Sequence, residues 1–133
     1  MRNQFTPFGK FPTYTESTLI LEEPEANLHP DFQSKLADVI VEAGKLFNIQ
    51  FIIETHSEYF IRKLQYLTAK KELLPEHSVI YYFTNPNDLE EGERQVRELK
   101  IREDGILDGE FGSGFYDEAT RLTVELLKLQ NLN

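Results

Sequence analysis

The chain has 133 residues and a formal net charge of −9, which leaves room for one small domain with a single core. Hydrophobic residues make up 40% and charged residues 28%, an ordinary balance for a globular protein. The chain contains no cysteine, which excludes disulfides and thiolate metal sites. No apolar run approaches the roughly 20 residues of a membrane span, and the excess of acid argues against nucleic-acid binding by the chain alone. We therefore expect a cytoplasmic protein that meets nucleic acid only through a complete assembly.

The first predicted elements are an irregular segment and a strand. Residues 1–17 contain Pro7 and Pro12, which make a long helix unfavourable. The short apolar run 18–21 then ends at two adjacent carboxylates, Glu22 and Glu23. Such a run is typical of a buried parallel strand.

A helix and a second strand are predicted next. Pro30 suits the first turn of a helix, with Asn27 or His29 near its cap. Apolar residues recur at helical spacing and predict one apolar face. This face would comprise Phe32, Leu36, Val39, Ile40, Ala43 and Phe47. The apolar run 49–53, which stops at Glu54, predicts the second strand, and together the three elements fit one βαβ unit.

The remainder of the chain predicts a helix, a hairpin and a final helix. Ser57 is expected to cap a helix that extends to about Leu74, with Pro75 closing it. The runs 79–84 and 95–102 read as strands around an acidic, solvated tip.

Asp104-Gly105 predicts another tight turn, and a last helix is expected over 116–129. We thus expect an α/β fold with a mainly parallel sheet, flanking helices and an antiparallel hairpin. The single domain, 1–133, would comprise the irregular segment, a βαβα core over 18–75 and a hairpin with a C-terminal helix over 76–133.

Acids and a histidine follow the two predicted parallel strands. Glu22 and Glu23 end the first strand, and His56 comes shortly after the second. Open α/β sheets bind ligands at the carboxyl ends of their strands. There, one carboxylate can hold Mg²⁺, a second can orient or deprotonate an attacking water, and a histidine can hydrogen-bond a γ-phosphate. Glu25 is expected to be a turn or first-helix acid.

These residues carry a resemblance to a known family. Residues 19–30 read Leu-Ile-Leu-Glu-Glu-Pro-Glu-Ala-Asn-Leu-His-Pro, and residues 54–57 read Glu-Thr-His-Ser. The two strings resemble the Walker B, D-loop and switch-histidine segments of ABC-type ATPases, in particular soluble predicted ATPases related to the SMC and overcoming-lysogenization-defect groups. The resemblance implies a partial P-loop NTPase sandwich.

The resemblance also implies roles for individual residues. Glu22 matches the acid that holds magnesium, Glu23 the hydrolytic base, and His56 the switch histidine. Asn27 and His29 match the D-loop, which crosses a dimer interface beside the nucleotide. The implied cofactors are Mg²⁺ and ATP, and the implied partner is a second copy of the chain (a homodimer) or a complementary ATPase lobe.

The sequence departs from the family in two respects. Glu22 stands where an aspartate is usual, and no Gly-x-x-x-x-Gly-Lys-Ser/Thr phosphate loop occurs in the chain. The chain therefore resembles the C-terminal half of an ATPase domain, either excised or separately encoded. Weak or no ATP binding, and no hydrolysis, is expected of this chain alone.

Other interpretations of the same residues remain open. The leading alternative is a non-catalytic protein-interaction module derived from this fold. A metal-dependent phosphoesterase that uses the acidic cluster is another. A zinc site built from Glu22, Glu23, His29 and His56 has suitable ligand types, but its spacing matches no helical His-x-x-x-His arrangement.

Overall fold

A computed structural model describes residues 17–112, 122 and 124–128. The chain divides into two compact units, Met1–His56 and Ser57–Asn133, and each is described by itself. The predicted single domain stays a prediction. Apart from Ser17, the predicted irregular N-terminal segment lies outside the described residues.

The first unit contains a strand, a helix and a strand. Strand β1 spans Ser17–Glu22, helix α1 spans Pro30–Phe47, and strand β2 spans Ile49–Glu54. The two strands form a parallel two-stranded sheet, as the predicted βαβ connection requires. Alternate residues of β2 are half-buried and exposed, because successive side chains of a strand point to opposite faces.

Local signals at both ends of α1 explain its bounds. His29 is the N-cap in extended conformation, and its Nδ1 accepts a hydrogen bond from the Asp31 N–H at 3.4 Å. Pro30 occupies the first turn, where its missing N–H costs nothing. At the other end, Asn48 adopts a left-handed conformation (φ 52°), and its N–H donates to the Gly44 carbonyl. The cap expected from Asn27 or His29 is therefore His29.

The predicted apolar face of α1 is only partly buried. Ala37 and Ile40 are buried, whereas Phe32, Val39 and Phe47 are exposed. Among the described residues the parallel sheet has two strands, and a sheet of this width covers a stripe of the helix rather than its whole apolar side. The predicted apolar face of α1 is therefore partly core and partly exposed surface.

The second unit begins with helix α2, Glu58–Ala69. Ser57 caps it as predicted, because its Oγ accepts the Phe60 N–H at 3.1 Å. The helix ends earlier than the predicted Leu74. Lys71 takes a left-handed conformation (φ 64°) and donates its N–H to the Thr68 carbonyl at 2.9 Å, which turns the chain away from the helix axis. Instead of closing α2, Pro75 opens a short 3₁₀ turn.

A hairpin follows in the same unit. Strand β3 spans Ile80–Phe83, strand β4 spans Val96–Leu99, and they pair antiparallel. Both are shorter than the predicted runs 79–84 and 95–102, although the hairpin and its exposed acidic tip are present. The predicted tight turn at Asp104-Gly105 is also present, with the Gly105 N–H donating to the Arg102 carbonyl at 2.8 Å.

The described residues thus form a mixed α/β fold with a small parallel sheet, β1 and β2, and a separate antiparallel pair, β3 and β4, so the predicted class is confirmed. Residues 122 and 124–128 are helical, and the rest of the helix predicted over 116–129 lies outside the described residues. None of the helices within 17–112, 122 and 124–128 combines the length and apolar content needed to cross a membrane.

Candidate functional site

The carboxyl ends of β1 and β2 form one edge of the parallel sheet. Glu22, the last residue of β1, lies opposite Glu54, the last residue of β2. The Glu23 N–H donates to the Glu54 carbonyl at 2.9 Å and extends the ladder one residue beyond β1. The segments that follow the two strands therefore leave the sheet side by side, which brings the predicted acids to the edge where His56 lies.

Glu23 and His56 are neighbours at this edge. Glu23 Oε1 lies 3.5 Å from His56 Nε2, and the two side chains are 55% and 75% exposed. Both reactive groups can therefore meet a ligand from solvent. The Glu23 backbone is left-handed (φ 40°), a conformation that costs energy in a residue other than glycine. The Ala26 N–H donates to the Glu23 carbonyl at 2.9 Å and closes the turn that requires it.

Glu25 joins the two segments from inside. It is only 7% exposed, and its Oε1 accepts the Thr55 hydroxyl at 2.6 Å and the His56 N–H at 2.8 Å. These bonds link the turn after β1 to the residues that follow β2. Oε2 of the same carboxylate is buried without a hydrogen-bond partner among the described residues.

The Glu25 carboxylate is ionised more readily than a free glutamate. Burial raises its pKa, but hydrogen bonds from the Thr55 hydroxyl and from the backbone amides of Glu25 and His56 favour the charged form, with help from the His56 charge. The net result is a pKa below the ordinary value. At neutral pH the site therefore contains a buried anion, which accepts hydrogen bonds more strongly than a neutral group would.

The donors at the edge fit a hydrated magnesium ion. Because Glu22 and Glu54 are directly opposite in the ladder, their side chains leave the same face of the sheet. Mg²⁺ takes one or two protein carboxylates and fills its octahedron with water and phosphate oxygens. Within 17–112, 122 and 124–128, no three His, Asp or Glu side chains come together as a metal cage. The alternative of a fully protein-bound zinc ion is therefore not supported by these residues.

Asn27 and His29 lie on the turn between β1 and α1. Asn27 is left-handed (φ 64°) and exposed, and the His29 ring caps α1. In the part of the chain that the structure describes, no hydrogen bond or ion pair joins either residue to Glu22, Glu23 or His56. Their predicted place beside a nucleotide stays a prediction.

Two family models match parts of the chain, and the first match contains the site. Residues 13–61 match a family model described as an AAA ATPase domain. Over these residues the chain is similar to an ATPase domain. Residues 73–126 match a second model, described as a protein of unknown function (DUF3696), and no curated protein or solved structure matches the chain. The first match spans the carboxyl ends of β1 and β2 and the residues that follow them, so the site lies in the part of the chain that is similar to an ATPase domain.

Sequence reasoning missed the part that Glu25 and Thr55 take in this site. The sequence predicts a turn or first-helix acid at Glu25 and no role for Thr55. The available signal was their position: an acid lies just beyond one parallel strand, and a hydroxyl residue directly follows the other. Because parallel strands end at the same edge, two such groups can meet there.

Proposed function

We propose that this chain supplies the Walker B and switch-histidine half of an ABC-type ATPase. The observation that carries this proposal is the 3.5 Å approach of Glu23 Oε1 to His56 Nε2 at the shared edge of β1 and β2. An exposed acid and an imidazole in this place suit the hydrolysis of a phosphate bond. The match of residues 13–61 to an ATPase domain supports the same conclusion.

In this proposal, Glu22 holds a magnesium ion at the end of β1. Bound Mg²⁺ would neutralise phosphate charge in the complete enzyme. Glu22 lies opposite Glu54, and the two adjacent negative charges favour a cation at this edge. The longer arm of glutamate, compared with the usual aspartate, is compatible with an ion held through a water molecule.

Glu23 is proposed to orient the attacking water and accept its proton. Its carboxylate is more than half exposed, so water reaches it directly. His56 is proposed to donate a hydrogen bond to the γ-phosphate. The 3.5 Å separation from Glu23 is long for a hydrogen bond, so little is lost when the imidazole turns towards a phosphate oxygen.

Nucleotide binding is proposed to need another lobe. The chain has no phosphate loop, and therefore lacks the backbone amides and the lysine that cradle the β- and γ-phosphates. We infer that a complementary ATPase lobe supplies the phosphate loop and completes the P-loop sandwich, and that a second copy of the chain would pair with it only as a homodimer partner across the D-loop. The exposed turn with Asn27 and His29 would face that partner and the nucleotide, and the chain would be inactive alone.

The proposal is tested by titrating Mg-ATP into the chain alone and then into the chain with a phosphate-loop lobe, supplied by an adjacent reading frame or by natural continuation of the protein. We expect little or no heat from the chain alone, and binding with hydrolysis from the combination. Glu23→Gln should lower the hydrolysis rate by about 100- to 10,000-fold. Glu42→Gln, an exposed position on α1, is the matched control. An unchanged rate in Glu23→Gln would contradict the proposal.

A non-catalytic interaction module is the second candidate. Ile20 and Ile52 are 68% and 52% exposed and lie opposite each other in the ladder, so they form an apolar pair on one face of the sheet. Strands of parallel sheets normally have both faces covered. This candidate gains if the chain self-associates and ignores Mg-ATP with and without the phosphate-loop lobe, and if Ile20→Lys abolishes the association.

A further inference from the structure

Two hydrogen bonds fix the backbone of Glu23 and of His56. On one side, the Glu23 N–H is bonded to the Glu54 carbonyl at 2.9 Å. On the other, the His56 N–H is bonded to Glu25 Oε1 at 2.8 Å. The Glu23 amide is therefore bonded to the last residue of β2, and the His56 amide is bonded to the segment that follows β1. This arrangement restricts the backbone positions from which the two side chains reach each other.

The Glu25 carboxylate is buried, whereas the side chains of Glu23 and His56 are exposed. The Glu23 and His56 side chains are largely exposed, so little packing orients them. Glu25 is only 7% exposed, and both bonds at its Oε1 go to residues 55 and 56. A carboxylate so enclosed is poorly placed to meet a ligand directly, but it can control where His56 lies.

We propose that Glu25 is a positioning residue whose carboxylate holds Thr55 and His56 in place, so that the imidazole lies against Glu23. The catalytic meaning of this role rests on the proposed ATPase function, although the structural tie itself does not. Thr55 contributes by occupying the same oxygen with its hydroxyl. The tie predicts that a change at Glu25 moves His56 while the parallel ladder of β1 and β2 remains intact.

The test is an NMR comparison of the full chain with Glu25→Asp and Glu25→Gln. Aspartate keeps the charge but withdraws the oxygen by one methylene, whereas glutamine keeps the reach and an acceptor oxygen. We expect Glu25→Asp to lower hydrogen-exchange protection of the His56 amide by about tenfold and to weaken the nuclear Overhauser contact between the His56 ring and the Glu23 side chain. Glu25→Gln should retain both, and Glu42→Asp is the surface control.

A folded Glu25→Asp variant, with unchanged β1 and β2 amide shifts, that keeps the full contact between His56 and Glu23 would overturn the proposal. Should that variant fail to fold, an acid titration of Glu23→Gln decides, because this background removes the carboxylate next to His56. If the His56 amide shift and the contact between the His56 ring and residue 23 change with the same pH midpoint, the positioning role of Glu25 is supported. A ring contact that stays constant while the amide titrates overturns it.

This readout is independent of ATP hydrolysis. If Glu25 holds His56 in place but the complete assembly never hydrolyses ATP, the proposed function alone is refuted. If hydrolysis depends on Glu23 but His56 does not respond to Glu25→Asp, the positioning role alone is refuted.

Discussion

Glu22 and Glu54 lie directly opposite each other as the last residues of two parallel strands. Their side chains leave the same face of the sheet, and both are exposed. Two like charges in this arrangement repel each other, and a cation bound between them offsets the repulsion. The sheet edge is therefore electrostatically prepared for a positive ligand.

This repulsion predicts that Glu54→Gln stabilises the chain in the absence of divalent cations. The expected gain in the free energy of unfolding is a few tenths to about 1 kcal/mol, measured by urea unfolding at neutral pH and low salt. Magnesium chloride should narrow the difference between the two proteins, because it screens or binds the wild-type pair. Glu42→Gln on α1 controls for the loss of one surface charge. A Glu54→Gln variant less stable than the control would disprove the repulsion.

Removing the buried Glu25 carboxylate should change the free energy of unfolding much more than Glu54→Gln does. Glu25→Ala removes the carboxylate oxygen that accepts hydrogen bonds from the Thr55 hydroxyl and the His56 N–H, and hydrogen bonds to charged groups are each worth about 1.5–3 kcal/mol. We expect Glu25→Ala to lower the free energy of unfolding by about 3 kcal/mol and Thr55→Val by about half of that. Urea unfolding followed by circular dichroism measures both. Equal and small losses, below about 0.5 kcal/mol, would show that these bonds contribute little.

The lowered pKa of Glu25 makes stability dependent on acid pH. In the folded chain its pKa lies below the ordinary value of 4.5, so the unfolded chain takes up the proton first as the pH falls. The stabilisation is therefore complete above about pH 4.5 and is lost as the pH falls through the folded pKa.

Unfolding free energies measured between pH 7 and pH 3 should show this loss in the wild type, and a shallower loss in Glu25→Gln, which cannot titrate at residue 25. Glu42→Gln should follow the wild type. If the free energy of unfolding falls equally steeply at acid pH in the wild type and in Glu25→Gln, the acid sensitivity comes from other groups.

Gly105 tests the packing of the second unit. It is left-handed (φ 82°), and a Cβ there would lie 2.7 Å from the Gln65 carbonyl oxygen and 3.0 Å from the Ala69 Cβ. Gly105→Ala should therefore destabilise the chain by roughly 3 kcal/mol, from backbone strain together with the clash. Gly92 is also left-handed (φ 90°), but it has open space around a Cβ, so Gly92→Ala should cost only about 1 kcal/mol. Thermal unfolding of both variants separates the two contributions, and equal losses would rule out the clash.

The elements of the first unit could be predicted because their signals are local. An apolar run that ends in carboxylates identified β1, and Pro30 with His29 located the start of α1. Ser57 marked the start of α2 for the same reason, since a hydroxyl cap bonds an amide only three residues away. Even the proximity of Glu23 and His56 followed from a general rule, that parallel strands in a βαβ unit end at one edge.

Features that depend on distant segments were beyond such reasoning. How much of α1 is buried depends on the width of the sheet beneath it, and Ala37 and Ile40 are covered while Val39 is not. Glu25 became an internal anchor because the register of β1 on β2 brings residues 30 and 31 positions away to its carboxylate. Residue types and spacing alone determined the elements, their caps and the edge where the acids gather. The burial of Glu25 and its hold on His56 arose only on folding, because a charged side chain enters the interior when donors from another segment are there to meet it.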